Sequence, residues 1–300
     1  MNIVFMGTPD FACPCLKALL QGNHRVLGVF TQPDKPKGRG YTLTPPPVKE
    51  LAVAHSIPVY QPNTLRNGEA LTLIDGLNPD IIVVVAYGKI LPKEILEHPK
   101  YGCINVHASL LPKYRGAAPI QWAVLEGETE SGVTVMQMDV GLDTGDMLLK
   151  KALTINPDET AGELHDRLSI LGAEALTEAL TAIEEGRAIP EKQQDGQSTY
   201  AKMLDKSLCK LDLTQSAQQL HNQIRGLSPW PVAVLTLNGK PLKVYKSILA
   251  KGTEPTNGTL TVTCGDGGLL RLMRVQLEGR KRMSDEDFLK GYKADSFLFE

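Results

Sequence analysis

The 300-residue sequence has no long hydrophobic run: its longest continuous apolar stretch, residues 81–87, is seven residues, well short of the ~20 that span a bilayer. Residues 1–10 hold no basic segment leading into an apolar run, so no secretory signal is expected. Cysteine is scarce. Cys13, Cys15, Cys103, Cys209 and Cys264 are odd in number and mostly far apart, which argues for reduced thiols over a disulfide framework. Cys13-Pro14-Cys15 lacks the CxxC spacing and the histidine neighbours of a metal pair, so no metal is expected. A formal net charge of −2 excludes attraction of a polyanion by bulk charge. Together these absences point to a cytoplasmic protein with no membrane contact, and a monomer is expected.

What is present suits a sizeable core: 42% of residues are hydrophobic and 22% charged. Three hundred residues exceed a typical single domain. Short apolar runs at residues 2–6, 25–31, 57–60, 81–86 and 103–107 alternate with helical stretches at 48–55, 69–77 and 117–126. Residues 81–86 are β-branched with no polar alternation, which suits a strand buried on both faces. The pattern predicts an α/β fold, an open, mostly parallel, doubly wound, Rossmann-like sheet, over residues 1–188. Leucines at helical spacing make residues 160–185 the longest helix candidate. Residues 189–206 turn polar and read as a linker. Beyond them, a helix at 216–225 precedes short alternating segments separated by Gly and Asn, a pattern expected of a small OB-like β-barrel over residues 207–300. That last segment carries 13 Lys and Arg against 9 Asp and Glu, a net of +4, leaving −6 for the remainder.

Three segments could carry chemistry. Gly7-Thr8-Pro9-Asp10-Phe11 follows the first strand but lacks the GxGxxG spacing, which rules out a dinucleotide site and leaves a ligand-approach loop or a plain strand-to-helix turn. Asn105 and His107 lie two apart at the end of a strand, so both side chains project to one face. An Asn amide can donate to an oxyanion, and His can move a proton near neutral pH. Ser109, Leu110, Leu111 and Pro112, then Arg115 and Gly116, form a Gly/Pro-punctuated loop beyond them. The third segment is the turn 139–146, with Asp139, Asp143 and Asp146. Its acids are fewer and differently spaced than in a calcium loop; a carboxylate brought to His107 could fix its tautomer and stabilise its charged form.

The segments GTPDFA, TQPDKPKGRG, VVVAYGKILP, CINVHASLLPKYRGAAPIQWA and GVTVMQMDVGLDTGDML, in that order, resemble the methionyl-tRNA formyltransferase family. The likeness continues through NQIRGLSPW to Gly279-Arg280-Lys281 and so covers nearly the whole chain. It implies transfer of the formyl group of 10-formyltetrahydrofolate to the α-amine of initiator methionyl-tRNA. Carried over residue by residue, it implies Asn105, His107 and Asp143 as the catalytic set. Ser109, Leu110, Leu111 and Pro112, with the backbone of Ala86, Tyr87 and Gly88, would meet the folate. The acceptor-recognition loop would be residues 34–49, with Arg39 as its basic residue; Tyr41-Thr42 stands where relatives tend to carry further basic residues. Lys240, Lys243 and Lys281 are expected among the tRNA-binding cations of the C-terminal domain, where phosphate contacts hold without reading sequence. The nearest alternative keeps the chemistry and changes the acceptor to an amino-sugar nucleotide. A glycinamide ribonucleotide formyltransferase would lack the C-terminal extension, and a noncatalytic RNA- or folate-binding module would not need the Asn105, His107 and Asp143 set.

Overall fold

The computed structural model describes residues 1–37, 42–250, 258–292 and 297–299. Its contacts divide the chain into two compact units. One comprises Met1–Gly116, Gly132–Leu153 and Asp166–Tyr200; the other comprises Ala117–Ser131, Thr154–His165 and Ala201–Glu300.

The first unit opens with β1 (Asn2–Gly7), α1 (Cys13–Gln21) and β2 (Arg25–Phe30). A hairpin of β3 (Lys35–Lys37) and β4 (Thr42–Thr44) follows, then α2 (Pro47–Ala54), β5 (Val59–Tyr60) and α3 (Glu69–Leu77). Next come β6 (Ile81–Val85), α4 (Lys93–Leu96), β7 (Cys103–His107) and β8 (Arg115–Gly116). After α5 (Pro119–Leu125) the chain returns through β9 (Glu130–Gln137) and β10 (Met147–Thr154) to α6 (Ala161–Glu184). β11 (Tyr200–Ala201) pairs with β8.

Seven strands form one sheet in the order β10-β9-β7-β6-β1-β2-β5. β5, β2, β1, β6 and β7 run parallel, and β9 is antiparallel to β7. All five residues of β6 are buried, as their β-branched run requires of a strand covered on both faces. Consecutive β1 and β2 are neighbours, and β6 then pairs on the other side of β1. The strand order therefore reverses between β1 and β6, the kind of place where an open α/β sheet leaves a crevice outside its carboxyl ends. Gly7 closes β1. A Cβ there would lie 2.8 Å from the Phe5 ring and 3.0 Å from the Val85 carbonyl oxygen, so close strand packing accounts for this glycine without a ligand.

The second unit contains α5 and, after residue 201, α7 (Ala217–Gly226), β12 (Ala233–Leu237), β13 (Lys240–Leu249), β14 (Thr261–Thr263), β15 (Leu269–Leu277), β16 (Met283–Ser284) and α8 (Asp285–Gly291). α7 begins with a complete capping box, Ser216 and Gln219 each satisfying the other's backbone N–H. The strands make an antiparallel sheet in the order β12-β13-β15-β14, with β16 also on β15. Alternation along β12 and β13 sends Leu235, Leu237, Leu242 and Val244 into a core with Leu220, Ile224 and Phe288, while Lys240 and Lys243 stay exposed. The residues expected to form a linker are not free of structure: a 3-10 turn spans Asp195–Gln197, and Glu191 bridges to Met147. All five cysteines are unpaired, as expected of reduced thiols; Cys15, Cys103 and Cys264 are buried, Cys13 and Cys209 half-buried.

Candidate active site

The site is built on the carboxyl ends of β6 and β7, which are in register with Val84 beside Asn105. β7 ends on Asn105, half-buried, and His107, 6% exposed. The Asn105 amide makes no hydrogen bond among the described residues, so its donors are uncommitted. His107 is held firmly. Its Nε2 donates to the Tyr114 carbonyl oxygen at 2.8 Å, which fixes the proton on Nε2 in the neutral ring and turns Nδ1 toward Asp143. The Nδ1–Oδ1 separation is 3.8 Å, beyond a hydrogen bond but with the carboxylate facing that nitrogen. The other carboxylate oxygen of Asp143, Oδ2, accepts the Gly116 N–H at 2.8 Å.

Backbone conformation at these points is costly. Ala86, Tyr114 and Asp143 have φ of 47°, 60° and 54°, the left-handed region in which a Cβ is disfavoured. Such residues persist only where their surroundings over-determine them, and here they do. The Tyr114 N–H donates to Thr199 Oγ1. The Tyr87 carbonyl, next to Ala86, accepts from Thr8 Oγ1 at 2.9 Å and Gln32 Nε2 at 3.2 Å. Asp143 lies in a turn tightened by Asp139, whose Oδ1 accepts from the Gly141 N–H and from Thr144 Oγ1. That turn sits against β9 so closely that a Cβ on Gly145 would overlap the Gln137 carbonyl. Asp139 is thereby spent on the turn, and no cluster of three metal-ligating side chains occurs among the described residues.

The loop of residues 108–112 owes its shape to one buried hydroxyl. Thr134 on β9, level with His107, donates to the Ser109 carbonyl at 2.7 Å and accepts the Leu111 N–H at 3.1 Å. Ser109 Oγ in turn donates to the Lys113 carbonyl at 2.7 Å. What this loop offers a ligand is mainly shape and apolar surface. Across from it Ala86 and Gly88 expose their backbone, while Tyr87 between them is 1% exposed. Burial pushes the Tyr87 phenol up to about 12, and its hydroxyl has no partner among the described residues.

The structure thus brings Asn105, His107 and Asp143 to one place, with Ala86–Gly88 and Ser109–Pro112 on adjacent strand ends. Arg39 lies outside the described residues. The ends of its loop are pinned by Lys49, whose ammonium meets both oxygens of Asp34 at 2.8 Å. Lys49 and Gln61 together hold the Asp34 carboxyl below the usual carboxylate range. Lys240, Lys243 and Lys281 belong to the second unit, where all three are exposed. Sequence reasoning missed Thr134, Tyr114 and Gln193. The signal for Thr134 is a lone hydroxyl in the apolar run of β9, since a buried polar group needs a partner.

The formyl transferase family matches residues 1–180, and its C-terminal domain matches residues 203–293. A methionyl-tRNA formyltransferase of Geobacter metallireducens is 53% identical over 302 residues, covering 98% of this chain and 97% of its own. One from Clostridioides difficile is 51% identical, with 99% of both chains covered. This chain belongs to the methionyl-tRNA formyltransferase family. Within that family, a solved structure from Clostridium thermocellum superposes with a TM-score of 0.59 at 16% identity, covering 92% of this chain and 98% of its own. The sugar 3N-formyl transferase WlaRD, solved in the presence of dTDP and 5-N-formyl-THF, gives 0.71 at 21% identity, covering 94% and 99%. At such identities the superpositions establish a shared fold.

Proposed function

We propose that this protein transfers the formyl group of 10-formyltetrahydrofolate to the α-amino group of methionine on initiator tRNA, yielding N-formylmethionyl-tRNA for translation initiation in the cytoplasm. The observation that carries this reading is the meeting of an uncommitted Asn105 amide with His107 and Asp143 at the ends of parallel strands, in a chain about half identical to methionyl-tRNA formyltransferases.

The residues present fit a reduced folate. The exposed backbone of Ala86 and Gly88 offers donors and acceptors to the edge of a flat heterocycle, and Leu110 and Pro112 offer apolar surface beside it, whereas Leu111 is buried against Met136 and Met147. The folate, when bound as co-substrate, supplies an activated formyl group and a nitrogen that leaves with a proton. Asn105 donates to the formyl oxygen as it gains negative charge, an interaction typically worth ~3 kcal/mol in the transition state. His107 takes the proton shed by the attacking amine on Nδ1 and returns it to the departing nitrogen as the C–N bond breaks, while Nε2 stays bound to Tyr114. Asp143 lies beside Nδ1 and stabilises the charged ring, as general acid–base catalysis requires. Proton and charge are thus handled by three side chains.

Residues 1–188 form the catalytic domain in this reading, residues 189–206 connect, and residues 207–300 hold tRNA. Arg39 contacts the acceptor end, and Lys240, Lys243 and Lys281 contact phosphates. The exposed cations of an otherwise acidic chain support that division. The test is an acceptor panel with 10-formyltetrahydrofolate: initiator methionyl-tRNA, elongator methionyl-tRNA and a dTDP-amino sugar. Formylation of initiator methionyl-tRNA above the other two is expected. A preference for the amino sugar would overturn the acceptor assignment.

A further inference from the structure

Gln193 lies in the polar segment that composition marks as a connector, yet its side chain is fully used. Nε2 donates to the carbonyl oxygens of Asp143 and Gly145, both at 2.8 Å. Oε1 accepts from Arg115, from Nε at 3.0 Å and Nη2 at 2.8 Å. A primary amide has two N–H donors and one oxygen with two lone pairs, so every hydrogen-bonding position is filled. The amide's orientation is also decided, because a flipped amide would set its N–H groups against a guanidinium and its oxygen against two carbonyls. Arg115 Nη2 reaches outward to Asp195 Oδ1 at 2.8 Å, and the next residue, Gly116, supplies the N–H bound by Asp143 Oδ2. One side chain therefore ties the turn bearing Asp143 to the strand bearing Gly116, from a position 50 residues beyond Asp143 in the chain.

We propose that Gln193 is a positioning residue for formyl transfer. By holding the carbonyls on either side of Thr144 it keeps Asp143 in its left-handed conformation, and so keeps the carboxylate set toward His107. This role rests on the reading of Asp143 as the partner of His107. A misplacement of about 1 Å in a reacting constellation is enough to cost on the order of 10²-fold in rate, and a turn freed from both bonds can drift by that much.

The experiment is a mutant cycle on the full-length enzyme: Gln193→Met, Asp143→Asn and the double variant, with kcat and KM for folate and methionyl-tRNA, and thermal melts to verify folding. Gln193→Met should lower kcat by about 10²-fold and leave both KM values nearly unchanged. Within the Asp143→Asn background the same substitution should have little further effect, since there is no carboxylate left to place. Equal losses in both backgrounds would overturn the proposal while leaving Asp143 in its role. Wild-type turnover by Asp143→Asn alone would instead overturn the reading beneath it. Gln193→Glu guards against a purely structural explanation, and against a methionine that simply misfolds. A glutamate still accepts from Arg115, and more strongly, but it cannot donate to the two carbonyls. Its kcat should fall as far as that of Gln193→Met. Recovery to wild-type turnover would show that only the tie to Arg115 matters, and would refute the role.

Discussion

The two units handle polar groups in opposite ways. In the first, the carboxyl ends of the parallel strands gather a half-buried amide and a buried hydroxyl, neither with a partner among the described residues, and three left-handed residues that carry a Cβ. In the second, the buried charged and titratable groups are matched. Asp285, 1% exposed, is bound by Arg271 at 2.7 Å. His221, also 1% exposed, has Ser247 Oγ at 2.9 Å on Nδ1 and the Pro157 carbonyl at 3.1 Å on Nε2. Val232 and Asn238 are its only described non-glycine residues with positive φ. An unmatched polar group costs stability when buried and persists where something else is gained. Unit one holds left-handed residues and uncommitted donors at its strand ends; unit two pairs its buried charges and leaves Lys240, Lys243 and Lys281 exposed.

The sharpest way to break this contrast is His107→Ala. Turnover should fall by about 10⁴-fold, the upper end for a missing proton-transfer group, with folate and tRNA affinities retained. Residual turnover within tenfold of wild type would mean that the strand ends are not where the chemistry happens. A smaller effect of opposite character is expected from Lys243→Ala with Lys281→Ala. These should weaken tRNA binding at physiological salt and flatten the plot of log affinity against log salt by about 0.7–0.9 for each phosphate that is no longer neutralised, while single-turnover chemistry at saturating tRNA is unchanged. An unaltered salt slope would make the outer face of the second unit inert.

The smallest effect concerns pH. Burial lowers the pKa of His221 from its ordinary 6.5, so the unfolded chain takes up its proton first as pH falls. Neutral His221 therefore adds stability that is complete above about 6.5 and is lost as pH drops toward its folded value. His221→Gln should flatten the change in melting temperature between pH 7 and 5 without altering turnover at pH 7. A melting profile as steep as that of wild type would remove His221 as its source.

Much of the first unit's scaffold was legible because burial writes itself into composition. The unbroken β-branched run of β6, the helix at residues 69–77 and the strand ending on His107 all appear as the sequence predicts. The hairpin of β3 and β4 did not, because Pro, Gly and Lys obscure two three-residue strands. α8 was missed for another reason: seven residues give a short apolar stripe, and its clearest mark is Ser284, which caps it by accepting the Asp287 N–H. Gln193 and Thr134 show a deeper limit. Their partners are main-chain carbonyls and amides, which every residue carries, so no pattern of side chains announces them. Polar composition is read as solvated until the backbone is seen that it serves.

Gly145 has a consequence for how such an enzyme can diverge. Because any side chain there collides with the Gln137 carbonyl on β9, every substitution at this position must displace either the turn bearing Asp143 or a strand of the sheet. The turn is consequently closed to gradual change, whatever acceptor is selected for. A lineage adapting to a new acceptor has to vary segments whose displacement leaves that seat intact, such as the stretch of sequence between Asp34 and Lys49. Novelty in substrate would then accumulate in such segments while this turn stays locked by the absence of a single carbon atom.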